Sequence, residues 1–434
     1  MTPSTEGQPL SSPTLALRID RALVRAGAHS RRFLLASVTA PEAPRRAMRQ
    51  PVNVALVLDR SGSMAGARKF ALARQAVEHA LAMLHPEDRF TLVVYDNEVD
   101  VLTQSTHATG EAKRGALQSL REVGPRGSTD LCGGWLRGCE QVADHLSESA
   151  VSRVLLLTDG LANSGITDHT AIAHHASELR QRGVVTSTFG VGEDFDERLL
   201  RDMAHEGGGN FYFIEAPEQI PDLLTSELGE ALEVVMRRAA LHVMLPDGME
   251  ARPLNRYRHT RVVGDNELRV ELGDLVSAQE IDAVIELTFP TGDVGSTIAV
   301  RVSLGSDDSL LTSAEGLVEF TYASHVENDR QPRDRVVDRE VARLYAALAR
   351  AEATEANRHG DFARARQALD GTMRRIMEYA GSDAELRGIV SQLREAVPQY
   401  EAAMNPMSLK QSLFASELTA KGRRADGRAR RKDR

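Results

Sequence analysis

The chain has 434 residues and a formal net charge of −9, which leaves room for two or three domains with sizeable cores. The acidic balance excludes general nucleic-acid binding by the body of the protein; only the basic segment 421–434 is suited to nucleic acid or acidic lipid. Cys132 and Cys139 fall two turns apart on an expected helix, about 10 Å, too far for a disulfide, and no Cys/His set has zinc spacing. They read as reduced, half-buried thiols.

Residues 1–13 are polar and read as a disordered leader. They lack the charged-then-apolar pattern of a signal peptide, and no apolar run approaches the ~18 residues of a membrane span. The expectation is a cytoplasmic protein with no membrane span. Two strand-like runs follow, Leu15-Ala16-Leu17-Arg18-Ile19 and Phe33-Leu34-Leu35-Ala36-Ser37-Val38. The proline- and arginine-containing stretch 41–50 reads as a linker.

From residue 51 strands alternate with helices. Residues 54–58 form a near-continuous apolar run, as expected of a strand buried on both faces. A helix is expected over 65–84, strands over 90–95 and 98–102, and helices over 110–122 and 131–145. Further strands are expected at 154–157, 184–191 and 210–214, with helices at 170–182, 198–205 and 217–237. The result is an α/β domain over 51–237: a doubly wound, Rossmann-like, mostly parallel sheet.

After Arg238 the apolar period returns to two. Strands are expected at 241–245, 267–272, 281–289, 297–304 and 316–322, an antiparallel β-sandwich over 238–322. A sandwich wants more strands than these, so the N-terminal strands of 14–50 are expected to join it. Residues 323–334 read as a charged linker. Residues 335–404 read as a helical hairpin or bundle, and 405–434 as a disordered basic tail.

The chemistry concentrates at three strand ends. Asp59, Ser61 and Ser63 alternate after the first strand of the α/β domain. Thr129 lies in Gly127-Ser128-Thr129-Asp130, and Asp159 in Thr158-Asp159-Gly160. Loops at the carboxyl ends of a doubly wound sheet converge, so these pieces can meet. Two carboxylates and three hydroxyls suit a hard divalent cation. Calcium prefers more carboxylate and carbonyl ligands than these. Ser128 and Asp130 read either as hydrogen-bonding support for the ligands or as a solvated loop. Taken singly, Asp-x-Ser-x-Ser also suits a helix cap at Ser63, and Thr-Asp-Gly a turn.

Together the three stretches resemble the metal-ion-dependent adhesion site of the von Willebrand factor type A family. The resemblance covers 51–237, with all five ligand positions filled. It implies direct metal binding by Ser61, Ser63 and, in some members, Thr129, with Asp59 and Asp159 acting directly or through water. It implies Mg²⁺ as the usual ion, with Mn²⁺ or Ca²⁺ as alternatives, and a partner protein that donates a carboxylate. The flanking segments resemble bacterial members in which this domain is inserted in a β-sandwich.

The leading functional expectation is a non-enzymatic, metal-dependent protein-binding module. A Mg²⁺-dependent hydrolase or phosphotransferase is the second reading, but Asp-x-Asp is absent and no lysine or histidine adjoins the ligand loops, although Arg60, Arg68 and Lys69 are near. A regulatory subunit of an AAA+ ATPase complex is the third.

Overall fold

A computed structural model describes residues 12–43, 49–262, 266–306 and 314–431. The leader up to residue 11, residues 44–48 of the linker, and 432–434 of the tail lie outside the described residues. The chain divides into two compact units, Met48–Val234 on one hand, and Met1–Ala47 with Val235–Arg434 on the other.

The chain begins with strands β1 (Thr14–Ile19), β2 (Leu23–Arg25) and β3 (Ser30–Thr39). The α/β unit then runs β4 (Val52–Asp59), α1 (Lys69–Met83), β5 (Arg89–Tyr95), β6 (Val99–His107), α2 (Gly110–Arg121), α3 (Leu131–Ala143) and β7 (Val151–Thr158). It continues with α4 (His169–Gln181), β8 (Val185–Val191), α5 (Glu197–Glu206), β9 (Gly208–Ile214) and α6 (Ile220–Leu232). The strand order is β6-β5-β4-β7-β8-β9, parallel except for β6 against β5. Every residue of β4 and β7 is buried, in keeping with the apolar runs 54–58 and 154–157 within them. The chain moves outward from β4 in one direction to β5 and returns on its other side as β7. Asp59 and Asp159 therefore flank the point where the strand order reverses.

Helix α3 lies unusually close to this sheet. A Cβ on Gly134 would come within 2.3 Å of the Tyr95 ring, and one on Gly138 within 2.4 Å of Val57. The two glycines face inward four residues apart, on one side of the helix. The start of α3, and Thr129 just before it, is thus fixed against β4 and β5. Trp135 is fully buried and donates its indole N–H to Thr186 Oγ1 on β8 at 3.1 Å. Cys132 and Cys139 are buried outright instead of half-buried, and burial holds the Cys132 thiol up at about 11.

Two helix boundaries differ from expectation. The helix expected over 65–84 is preceded by a short 3₁₀ stretch, Gly62–Arg68, and Ala67 and Arg68 have φ of 48° and 60°. Met64 is completely buried and pins this loop, so α1 starts only at Lys69. The helix expected over 217–237 ends at Leu232, and a strand takes over at Val234-Val235, where β-branched side chains favour extended backbone.

The second unit adds β10 (Val234–Met244), β11 (Glu250–Pro253), β12 (Arg258–Val262), β13 (Glu267–Val276), β14 (Glu280–Phe289), β15 (Thr297–Gly305) and β16 (Ala314–Ala323). One sheet has the order β1-β3-β14-β11, the other β12-β13-β10-β15-β16-β2. Strand β3 pairs with β14 along its full ten residues, from Ser30 opposite Phe289 to Thr39 opposite Glu280. Leu34, Ala36, Val38 and Ile285 of the first sheet share a core with Leu241, Val270 and Val302 of the second.

The helices are α7 (His325–Arg330), α8 (Arg335–Arg358), α9 (Phe362–Ala380), α10 (Ala384–Tyr400) and α11 (Pro406–Ala420). Val337, Val341 and Leu344 of α8 pack on Leu35 and Val284. The segment expected as a charged linker is structured. Ser324 and Glu327 form a capping box for α7, and the Gln331 side chain accepts from Leu23 N–H and donates to Leu23 C=O.

The tail expected to be disordered is also structured through residue 431. Asn405 caps α11 with Pro406 in its first turn, a helix-start signature. Ser412 then bonds Thr354 of α8 and Tyr400 of α10 at 2.8 and 2.7 Å. Beyond α11, Glu280 N–H donates to Arg430 C=O at 2.8 Å, and Arg430 pairs with Asp282. Arg430, expected in a disordered basic tail, thus has a carboxylate and a backbone partner on β14. Among the described residues, no helix is long and apolar enough to cross a membrane.

Candidate metal centre

Three loops meet at the carboxyl ends of β4 and β7. Asp59 is the last residue of β4 and is fully buried. Its Oδ1 accepts the Ser61 N–H at 2.7 Å, and its Oδ2 accepts the Thr158 hydroxyl at 2.6 Å. Ser61 Oγ lies 3.1 Å from Ser63 Oγ, and Ser63 donates to Asp159 Oδ1 at 2.7 Å. Ser63 makes no capping bond to α1 or to the stretch before it. The cap reading of Ser63 is thereby replaced by a side-chain link between two strand-end loops.

Thr129 is buried and held by its backbone. Its N–H donates to Asn163 Oδ1 at 2.9 Å, and its carbonyl accepts from Asn163 and Ser164 N–H, both at 3.2 Å. Asp130 caps α3 through Gly133 N–H at 2.9 Å, while Ser128 is exposed. Asp130 is thus a structural support beside the centre, and Ser128 belongs to the solvated loop.

The loop carrying Ser61 and Ser63 is braced from β5. Arg60 is buried, its side chain pairs with Asp96 at 2.9 Å and Asp100 at 2.5 Å, and its backbone bonds Tyr95 and Arg126. Gly62 N–H donates to Gly127 C=O at 3.2 Å. Gly127 has φ of +71°, and a Cβ there would meet Asn97 Oδ1 at 2.2 Å. Burial would raise the Asp96 carboxyl, but Arg126, the Glu98 N–H and Arg60 hold it below its ordinary value.

All five sequence-predicted residues come to this one place. A Cβ on Gly160 would lie 3.2 Å from Thr129 Oγ1, 3.8 Å from Ser63 Oγ and 3.9 Å from Asp59 Oδ2. Oxygens from two loops therefore face the third loop where Gly160 leaves a small space. Among the described residues, no group of three or more His, Cys, Asp and Glu converges as a metal cluster would. The donor set is two carboxylates completed by hydroxyls, which fits a hard, oxygen-seeking divalent ion. Burial raises the Asp59 carboxyl to about 6, against the lowering effect of its bonds from Thr158 and Ser61; the charge of Asp159 adds to the rise. An added cation at this point would relieve both effects.

One residue contradicts the expectation that no lysine adjoins the ligand loops. Lys69 Nζ is 2.6 Å from Asp159 Oδ2, with Asp159 fully buried and the lysine side chain 16% exposed. Helical phase could not place it, because the 3₁₀ stretch before Lys69 is broken by non-helical backbone at Gly66 and Ala67. Asn163 was missed as well; its only sequence signal is a polar, glycine-flanked turn.

Residues 53–226 match the family model of the von Willebrand factor type A domain. This part of the chain is a von Willebrand factor type A (VWA) domain. The VWA family is one of protein-interaction modules. An uncharacterized Escherichia coli protein, YfbK, is 26% identical over 241 residues, covering 55% of this chain and 42% of YfbK. Inter alpha-trypsin inhibitor heavy chain 4 of Mus musculus is 31% identical over 163 residues, 36% of this chain and 17% of that protein. The chain thus spans less than half the length of these relatives.

Two solved structures share the fold over nearly the whole chain. A von Willebrand factor type A protein from Catenulispora acidiphila aligns with a TM-score of 0.72 at 18% identity, covering 96% of this chain and 98% of that one. The ArnB paralog VWA2 from Sulfolobus acidocaldarius aligns at 0.62 and 15% identity, covering 94% and 98%. The arrangement of a VWA sheet, two further sheets that are antiparallel except for β2 beside β16, and C-terminal helices is therefore shared beyond this chain.

Proposed function

We propose that the VWA domain is a metal-dependent, non-enzymatic protein-binding module. Asp59, Ser61, Ser63, Thr129 and Asp159 would hold Mg²⁺, and an acidic side chain of a partner protein would complete the centre. The observation that carries this reading is the approach of Thr129 Oγ1, Ser63 Oγ and Asp59 Oδ2 to Gly160, whose loop is joined to that of Ser63 by the Ser63–Asp159 bond. When bound, the ion supplies positive charge that a carboxylate can neutralise. This chain's residues hold the ion, orient one another through the Ser63–Asp159 and Thr158–Asp59 bonds, and keep both carboxylates away from bulk water. The VWA domain is read as an insertion, with the two-sheet unit as the frame that carries it. The hydroxyls of Ser61, Ser63 and Thr129 are read as ligands of the ion, so holding a ligand suits the centre better than breaking a bond.

The test is capture from native lysate on the immobilised full chain, in Mg²⁺, in EDTA, and with Asp59→Ala. The expected result is a partner retained only by the wild type in Mg²⁺. Equal retention in all three overturns the proposal.

A further inference from the structure

The ammonium group of Lys69 is no part of the donor set, yet it sits against it. It takes one oxygen of Asp159 while Ser63 takes the other. Asp159 is fully buried, and in such a setting a neighbouring charge acts far more strongly than at the surface. The lysine is also held in place by the backbone. It is the first residue of α1, directly after two residues of positive φ, and a Cβ on Gly192, in the turn after β8, would lie 3.9 Å from its Nζ.

The charges then decide what the centre can accept. Asp59 and Asp159, when ionised, carry two negative charges, and Lys69 offsets one. A divalent ion brings the total to one positive charge, where it would have been zero without the lysine. One carboxylate from outside restores neutrality.

We infer that Lys69 sets the charge of the metal centre: it weakens cation binding, and it leaves the loaded centre one unit positive, so that it takes a monoanionic carboxylate. The inference rests on the metal-dependent reading above. It predicts opposite signs for two affinities, which a purely structural lysine would not produce.

The experiment titrates the full chain with Mn²⁺, read by electron paramagnetic resonance, and then titrates the loaded protein with acetate, read by water-proton relaxation. Wild type, Lys69→Met, Lys69→Gln and Lys69→Arg are compared, with folding checked by circular dichroism. The neutral variants should bind Mn²⁺ roughly tenfold more tightly and acetate more weakly by a similar factor, with Lys69→Arg close to wild type. Neutral variants unchanged in either affinity, or Lys69→Arg behaving like them, overturn the inference while wild-type Mn²⁺ binding leaves the site standing. Absence of Mn²⁺ binding in every folded variant overturns both.

Discussion

The α/β domain buries carboxylates at both ends of its sheet, and it treats them in opposite ways. At the end where β4 begins, Asp88 is fully buried and wholly satisfied. It accepts from Val52 and His85 N–H at 2.9 and 2.6 Å, and from both terminal nitrogens of Arg49 at 2.7 and 2.5 Å. Burial alone would raise this carboxyl, but the Arg49 pair and the backbone donors bring it below its ordinary value. At the other end Asp59 is equally buried and is instead raised, with Asp159 adding to the rise. One end is closed by the chain's own charges. At the other end the proposed ion would supply to Asp59 the positive charge that Arg49 supplies to Asp88. The contrast separates a carboxylate lowered by the chain's own donors from one raised by its burial.

The comparison is sharpest if the closed end is broken first. Asp88→Asn should cost about 3 kcal/mol in urea unfolding, because it takes the carboxylate from a half-buried Arg49 and breaks a four-donor site; a loss under ~1 kcal/mol would show that this end is not a structural lock. Gly127→Ala should cost about 2 kcal/mol, since it puts a side chain at positive φ against Asn97. Its effect on Mn²⁺ affinity should exceed that of a surface substitution of equal cost, because Gly127 braces the loop of Ser61 and Ser63. Asp59→Asn should do the reverse of Asp88→Asn. In EDTA it should stabilise the protein by about 1 kcal/mol by removing a poorly compensated buried charge, while abolishing any rise in Tm on adding Mg²⁺.

The smallest effect concerns pH. A carboxyl held low in the fold stabilises above its unfolded pKa, and that contribution is lost as pH falls through the folded value. The stability gap between wild type and Asp88→Asn should therefore be full at neutral pH and close below about pH 4. A gap that persisted in acid would mean the contribution is packing and not charge.

The meeting of the five residues was legible in sequence because their types are rare in combination and because doubly wound sheets bring the ends of their strands together. Asp59 and Asp159 each ended an apolar run, so their neighbourhood followed from topology alone. Lys69 was not legible: its position depends on the backbone reversal at Ala67 and Arg68, which no periodicity reveals. Helix α11 was hidden for a different reason. Lys410, Ser416 and Glu417 are buried there, so polar residues occupy the positions where an apolar stripe would announce a helix. Strands β2, β11 and β12 are short and draw their stability from neighbours, and nothing local marks them.

The pairing of β3 with β14 has a consequence in time. Ser37 bonds Asp282, 245 residues further along the chain. At ~5–20 residues per second of synthesis, that partner arrives roughly 12–50 s later. The α/β domain between them is complete before then and can fold while the wait continues. During that interval β3, with its largely apolar run over 33–38, has no native neighbour on its β14 side. The segment best paired in the finished protein is the one most in need of protection while the ribosome is still at work.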